Sequence, residues 1–462
     1  MSGSFDVVVV GARCAGAPLA TLLAREGLKV CLLDRSRFPS EVPSTHAIQP
    51  NGVSALRRFG LEAAIRATGA PAITKARFDL DGVVVDVSDG AGILEFGDSP
   101  MFCIRRSTLD QLLIDAAVGA GADFRPGTAA TGLVHDNGRV VGVETPHGTV
   151  AASLVVGADG PHSGVARMVG AREYHTTPPG RLFMWGYFEG VGGPGGVANV
   201  EPRIFLGKHD DTALLAAPTD GDLFLVAVVP SQDEKRRCLA DTAGALKQGL
   251  ACFEDVAAVV GDADLQSPVR TMARWHGYFR DATGPGWVLV GDAGHFKDPT
   301  PGQGIADAFR QVEHLAPAIV AGLGSGDIDS RLVEWGRWRD RDAWEMYWFA
   351  TDLGAPGPTS PLVREMIRRL VAGARGPERF MRVFDHDLAP SKVFTPPRAM
   401  SAAVSLAASG RVGPRVVGQE MMGIVGREVA RRRLRRKPEY LQPGVGEVAQ
   451  GADTESAVEA NA

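Results

Sequence analysis

The spacing of apolar and polar residues divides the chain into segments of different texture. Asp6 to Val10 (D-V-V-V-V) is a β-branched run without polar interruption, the pattern of a parallel strand buried on both faces. Apolar residues then recur at helical spacing through Leu19, Leu22 and Leu23, a turn falls at Gly27, and a second strand, Val30 to Leu33, ends at Asp34. This order predicts a β-α-β unit. Phe38 to Gly52 is rich in Pro and polar residues and reads as a loop; a helix is expected over Val53 to Phe59 and a strand over Val83 to Val87. Another helix opens near Arg106, with Ser107 as its expected N-cap. A hairpin over Ala130 to Thr145 turns at Asp136-Asn-Gly138, and the strand Leu154 to Val156 follows.

From about Tyr174 to Thr283 the texture changes. Strand-like runs at Leu182 to Phe188, Arg203 to Leu206, Ala213 to Ala216 and Leu223 to Val229 are separated by Gly, Pro and Asp turns, which predicts an inserted antiparallel sheet. An amphipathic helix is expected over Leu239 to Phe253. The first unit resumes at Trp287 to Val290, and Val288 to Ala316 reads as a strand, a Pro/Gly loop and a helix N-terminus. After Gly322 the pattern is helical, and its aromatic residues, Trp335, Trp338, Trp344, Tyr347, Trp348 and Phe349, read as a packed face. Arg427 to Lys437 is strongly basic and reads as a solvated terminal helix. The expected divisions are 1–173 and 285–325 for the α/β unit, 174–284 for the inserted sheet, 326–442 for a helical region and 443–462 for a disordered tail.

Composition narrows the class. At 462 residues the chain suggests two or more domains, and 45% hydrophobic with 22% charged residues suits a soluble globular protein. A net charge of -5 gives no reason to expect nucleic acid. The five cysteines are scattered without a C-x-x-C, which argues against a disulfide framework and a zinc site; no metal is expected. No basic leader or apolar run of ~18 residues is visible, so a cytoplasmic location without membrane insertion is expected.

Three glycine-and-carboxylate signals stand at strand ends, where open α/β sheets bind ligands. The first is Gly11-Ala-Arg13-Cys-Ala-Gly16 with Asp34, and Arg35 beside it. Glycines there admit a pyrophosphate to a helix N-terminus, and the acid accepts hydrogen bonds from a ribose. Arg13 replaces the middle glycine of the usual G-x-G-x-x-G. The second signal is Asp159-Gly160 after the strand Leu154 to Val156, and the third is Gly291-Asp292.

In this order the motifs resemble the class A flavoprotein monooxygenases, the para-hydroxybenzoate hydroxylase type. The resemblance covers roughly residues 5 to 320. It implies an α/β fold: a Rossmann-like FAD-binding domain with an inserted antiparallel β-sheet substrate domain, followed here by a helical C-terminal region. It places the FAD pyrophosphate at Gly11 and Gly16, the adenosine ribose at Asp34, and a flavin-contacting arginine at Arg106 of R-S-T-L, beside Arg105. The A-D-G-x-x-S motif, tied in that family to FAD and NAD(P)H, falls on Ala158 to Ser163. The G-D-A-x-H motif falls on Gly291 to Gly304, with Asp292 as ribityl ligand and Pro299, Gly302 and Gly304 along the isoalloxazine. Departures occur at Ala166, where the family has arginine, and at Ala306 and Gln311, where it has Asn and Asp. The Lys297-Asp298 pair reads first as a solvated turn, with a positive charge near the flavin as the alternative.

The implied activity is NAD(P)H- and O2-dependent oxygenation of a small, aromatic or polyketide-like molecule. Such chemistry belongs mostly to the cofactor, and no nucleophilic triad is visible. His46 and His295 are the candidate acid/base groups, and Phe183, Trp185 and Tyr187, alternating on one strand, are a candidate pocket wall. Two alternatives stand beside this reading: a reductase of the geranylgeranyl reductase type and a non-catalytic flavin-binding protein. A halogenase is disfavoured because W-x-W-x-I-P is absent.

Overall fold

The computed structural model describes residues 4–40, 46–87 and 99–441. The expected tail 443–462 and part of the Phe38 to Gly52 loop lie outside them.

The strand Phe5–Val10 is central, paired in parallel with Val30–Asp34 on one side and Gly148–Gly157 on the other. Val7, Val8 and Val9 have no exposed surface, so a polar residue there would be buried without a partner. Trp287–Leu289 extends the sheet on one edge and Asp123–Pro126 on the other. The helices Gly16–Arg25, Arg106–Gly119 and Gly304–Ser325 share one core with this sheet, contributing Leu19, Leu113 and Phe309. Pro18 falls in the first turn of its helix, where a missing N–H interrupts nothing. The hairpin is present as Gly132–Asp136 and Arg139–Thr145, turning through Asn137 and Gly138 at positive φ. Gly148–Gly157 begins earlier than the apolar run suggests, because its exposed first half pairs with that hairpin.

The second sheet runs in the order Asp264–Leu265, Phe183–Glu189, Leu223–Pro230, Thr212–Thr219, Arg203–His209, Lys75–Leu80, Val83–Val87. It is antiparallel except where Arg203–His209 meets Lys75–Leu80 in parallel, so two of its strands come from the N-terminal part of the chain. A small third sheet joins His295–Phe296, Gly277–Arg280, Glu173–Thr177 and Tyr440–Leu441.

Two helix expectations are corrected. Asp241 breaks the run at Leu239 to Phe253, giving Lys235–Ala240 and Thr242–Ala251, because its carboxylate caps the second helix at the Gly244 N–H, 2.8 Å away. Ser107 lies inside its helix; Arg105 is the N-cap, and its side chain does not cap the helix. The helix Ile328–Gly354 buries Trp335, Trp344 and Tyr347 against the body, as the aromatic pattern suggested. In the terminal helix Pro414–Arg436 only Val417 is buried. No helix among the described residues is long and apolar enough to cross a membrane.

Candidate functional site

Gly11 ends the first strand at φ +104°, and a Cβ there would stand 2.4 Å from the Ala158 carbonyl oxygen. At Gly16 a Cβ would lie 1.7 Å from the Gly11 oxygen. Both positions therefore exclude a side chain, and the turn brings the first strand against the Ala158-Asp159 corner. The helix that follows starts at Gly16 without a side-chain cap, leaving backbone N–H groups for a ligand. Asp34 is nearly buried; its carboxylate accepts the Ala12 N–H at 2.9 Å and the Ser36 N–H at 2.8 Å, fixing the turn to the second strand's end. Arg35 is exposed.

Arg13 turns away from the close approach. Its guanidinium donates to Asp110 Oδ2 at 2.8 Å and Ser40 Oγ at 2.8 Å, and lies 5.0 Å from the Phe38 ring centre. Arg106 donates to the same carboxylate at 2.9 and 3.1 Å. Asp110 is fully buried and gathers both arginines at one helix face. Sequence reading missed it; an acid four residues after Arg106 was the available signal.

Asp159 and Gly160 follow the third strand's end, but Asp159 is engaged in its own turn. It accepts the Ser163 hydroxyl and the Val165 N–H, the latter at 3.1 Å, and Ser163 caps the short helix at Ala166. Ala166 is buried and Arg167 exposed, so the missing arginine is not replaced by its neighbour.

Gly291 and Asp292 form a tight helical turn after Trp287–Leu289. Gln311 accepts the Gly291 N–H at 2.9 Å, so this departure from the family pattern supports the backbone of the motif. Among the described residues no hydrogen bond reaches the Asp292 carboxylate oxygens. Burial raises this group to about 6, against the opposing pull of Arg106. Residues of the inserted region fasten this turn to the Asp159 corner. Tyr278 donates to the carbonyls of Pro161 at 3.1 Å and Asp292 at 2.6 Å, while Arg280 donates to Pro161 and Ala293 at 3.1 Å each. Arg339, from the helical region, donates to the Gly294 carbonyl at 3.0 Å.

The Lys297-Asp298 expectation is overturned, since both residues are buried. Lys297 pairs with Asp307 at 2.5 Å and donates to Gln303 Oε1 at 2.6 Å. Asp307 also meets His386 Nδ1 at 2.9 Å. Burial would raise Asp307, but Lys297 and His386 hold it well below the usual carboxylate range. Gln303 donates to the Val383 and Phe384 carbonyls at 3.2 and 2.7 Å, ending the helix Gly376–Phe384 on the Pro299 to Gly304 loop. The loop's other side rests near Ala47, Gln49 and Leu215. Thus the Pro299-Gly302-Gly304 loop lies between the α/β unit, the second sheet and the C-terminal helices.

The two histidines part company. His46 bonds the Tyr187 hydroxyl, stacks on that ring at 5.6 Å and meets Trp185 edge-on at 6.2 Å, at the junction of loop and second sheet. His295 lies behind the loop with its ring 4.4 Å from Phe279. Burial, with Lys297 and Arg339 nearby, holds it well below the usual imidazole range, so it is neutral there. Phe183 faces Trp275 at 6.0 Å and also lines a cavity under the loop, together with Phe78, Lys208, Leu215, Pro299 and Thr300.

A family model described as an FAD binding domain matches residues 4–349. The chain belongs to this FAD-binding family. It is an FAD-dependent oxidoreductase of the class that includes the class A monooxygenases. It is 27% identical over 358 residues to the digeranylgeranylglycerophospholipid reductase of Methanocella arvoryzae, covering 72% of this chain and 82% of that one. It is 25% identical over 342 residues to the rifampicin monooxygenase of Streptomyces venezuelae, covering 71% and 68%. The solved structure of the flavin-dependent brominase Bmp2 superposes with a TM-score of 0.71 at 17% identity, covering 88% of this chain and 100% of that one, a likeness of fold.

The family implies FAD, and the residues present fit it. Gly11 and Gly16 form a cradle that a Cβ would fill, and an uncapped helix begins beside it. Asp292 presents a carboxylate that no protein donor satisfies among the described residues, a match for a polyhydroxyl chain.

Proposed function

We propose that the chain is a monooxygenase that uses NAD(P)H and O2 to oxygenate a small, aromatic or polyketide-like molecule. Bound FAD would supply the redox chemistry, accepting hydride and activating O2. Gly11 and Gly16 would take its pyrophosphate, Asp34 a ribose hydroxyl, Arg106 its charge, and Asp292 the ribityl chain. Pro299 to Gly304 would lie along the ring. The observation that carries this reading is the apolar cavity directly beneath that loop, with Phe78, Phe183 and Leu215 in its walls and Pro299 and Thr300 in its roof. Such walls exclude water, and the cavity, about 40 Å³, takes a small apolar group beneath the loop. His46 and Tyr187 are joined by a hydrogen bond on the second sheet, and neither lines this cavity. His295, neutral behind the loop, serves packing.

Purified, FAD-loaded protein should consume NAD(P)H faster with an accepted aromatic substrate and insert one labelled atom from 18O2. Consumption without label in any product across a broad substrate panel refutes oxygenation. The similarity to the archaeal lipid reductase favours a second reading, reduction of a carbon–carbon double bond. Anaerobic saturation of an alkene by reduced protein, with no oxygen insertion in air, selects it.

A further inference from the structure

The last two helices, Pro396–Ala408 and Pro414–Arg436, pack on each other and on Pro361–Val371 through Leu362, Ala402, Ala403, Leu406 and Val417. Ser405 of the first donates to Glu365 of that third helix at 3.4 Å, and Glu420 of the second accepts the Leu362 N–H at 2.9 Å. These bonds fix which side of each helix faces inward. Met400 and Val404, four residues apart, fall on the opposite side of the first helix. Met422, Val425 and Val429, three and four apart, form one stripe on the opposite side of the second. All five are between 45% and 68% exposed. A single apolar residue on a surface is ordinary, whereas five on the outer side of one helix pair mark an interaction surface.

The stripe on the second helix continues as charge. Arg432, Arg433 and Arg436 stand three, four and seven residues after Val429, on the same side. Residues 427–437 carry seven basic residues and one acidic residue on a chain whose net charge is -5. The inward arginines have work within the protein: Arg431 binds Asp352 at 2.6 and 2.8 Å and lies 4.7 Å over Trp348, and Arg435 lies 5.4 Å over Trp344. They fix the helix against Ile328–Gly354, so its outer face is a set part of the body. Arg432 reaches Glu428 at 2.7 Å, and Arg433 and Arg436 bond nothing among the described residues.

The occupant must meet both kinds of residue. A nucleic acid would take the arginines and leave five apolar side chains in water. A second copy would cover the apolar stripe but has no spare anion for the arginines, because the helix's two carboxylates, Glu420 and Glu428, are already bonded. A phospholipid surface offers phosphates for the guanidinium forks and an apolar boundary beneath them.

We propose that this face docks the protein on the surface of a membrane containing anionic phospholipid. Met400, Val404, Met422, Val425 and Val429 enter the headgroup boundary, and Arg432, Arg433 and Arg436 hold phosphates. The contact is peripheral, since no helix among the described residues is long and apolar enough to cross. It does not depend on which redox reaction the protein performs.

The test is flotation of full-length, FAD-loaded protein with vesicles of phosphatidylcholine alone or of equal parts phosphatidylcholine and phosphatidylglycerol. Wild type should bind the mixed vesicles at least about tenfold more tightly than the neutral ones. Arg432→Gln/Arg433→Gln/Arg436→Gln should bring that ratio to about one. Met422→Gln/Val425→Gln/Val429→Gln should weaken binding to the mixed vesicles at least about tenfold. Glutamine is a good helix former and all six positions face solvent, so both variants should keep wild-type melting temperature and FAD content. Wild type that stays with the soluble fraction overturns the proposal, as does either folded variant binding like wild type. Duplex DNA bound more tightly than the mixed vesicles, with the apolar variant unaffected, also overturns it and assigns the arginines to nucleic acid. A wild-type dimer that the apolar variant dissociates, without vesicle binding, overturns it in favour of a second copy.

Discussion

Lys297→Met tests whether the flavin loop is held from behind by a buried charge cluster. The Lys297 side chain is 6% exposed and that of Asp307 12%, so solvent screens the pair little. Removing one partner of a buried ion pair costs about 3–5 kcal/mol, because the other charge stays behind unpaired. His386 still bonds Asp307, so we expect the lower end, about 3 kcal/mol. In thermal melting of the FAD-loaded protein this corresponds to a fall of about 3 °C for a chain of 462 residues. The double variant Lys297→Met/Asp307→Asn, which removes both charges, should regain at least half of that loss. The pH dependence has a definite sign. Asp307 is held below its ordinary range, so its contribution is present above the unfolded value of about 3.9 and is lost as pH falls through the folded value. The gap between wild type and single variant should therefore persist from pH 8 to about 4 and close only below it. A single variant melting within about 1 °C of wild type, or a double variant less stable than the single, refutes the cluster.

Two further outcomes are expected. Gly11→Ala, whose Cβ would meet the Ala158 oxygen at 2.4 Å, should yield folded protein with FAD content reduced at least about tenfold by absorbance, and full occupancy would contradict the cradle. Asp385 is pushed up to about 7 by burial, so its favourable contribution is complete at low pH and lost as pH rises through 7. Asp385→Asn, which keeps an oxygen for the Asn51 N–H, should raise the melting temperature at pH 8.5 and change little at pH 4; equal effects at both would exclude this titration.

What the sequence shows of the site is its local part. Gly11, Gly16 and Asp34 announce themselves because a tight turn and a strand end are decided by neighbours in the chain. Asp110 does not, since its meaning comes from Arg13, 97 residues away. Tyr278 and Arg280 likewise look like ordinary strand residues until the fold sets them against Pro161, 117 and 119 positions distant. Lys297 and Asp298, beside a Pro/Gly loop, have the composition of a solvated turn; Lys297 is held inside through Asp307 and Gln303, which bond His386 and Val383, 79 and 80 residues downstream of them. The strand Val83–Val87 was visible in the sequence and Lys75–Leu80 was not, and alternation is the same whichever sheet receives a strand.

The FAD titration of Asp292→Ala is the most direct measurement of the split cofactor site. Full-length apoprotein is titrated with FAD while tryptophan fluorescence quenching is followed. Loss of this carboxylate, which has no protein donor among the described residues, should weaken binding at least about tenfold, with the apoprotein's melting temperature held or raised because a half-buried charge is gone. FAD binding equal to that of wild type would contradict the placement of Asp292 on the ribityl chain and, with it, the assignment of the Val288 to Ala316 segment as the flavin-facing half of the site.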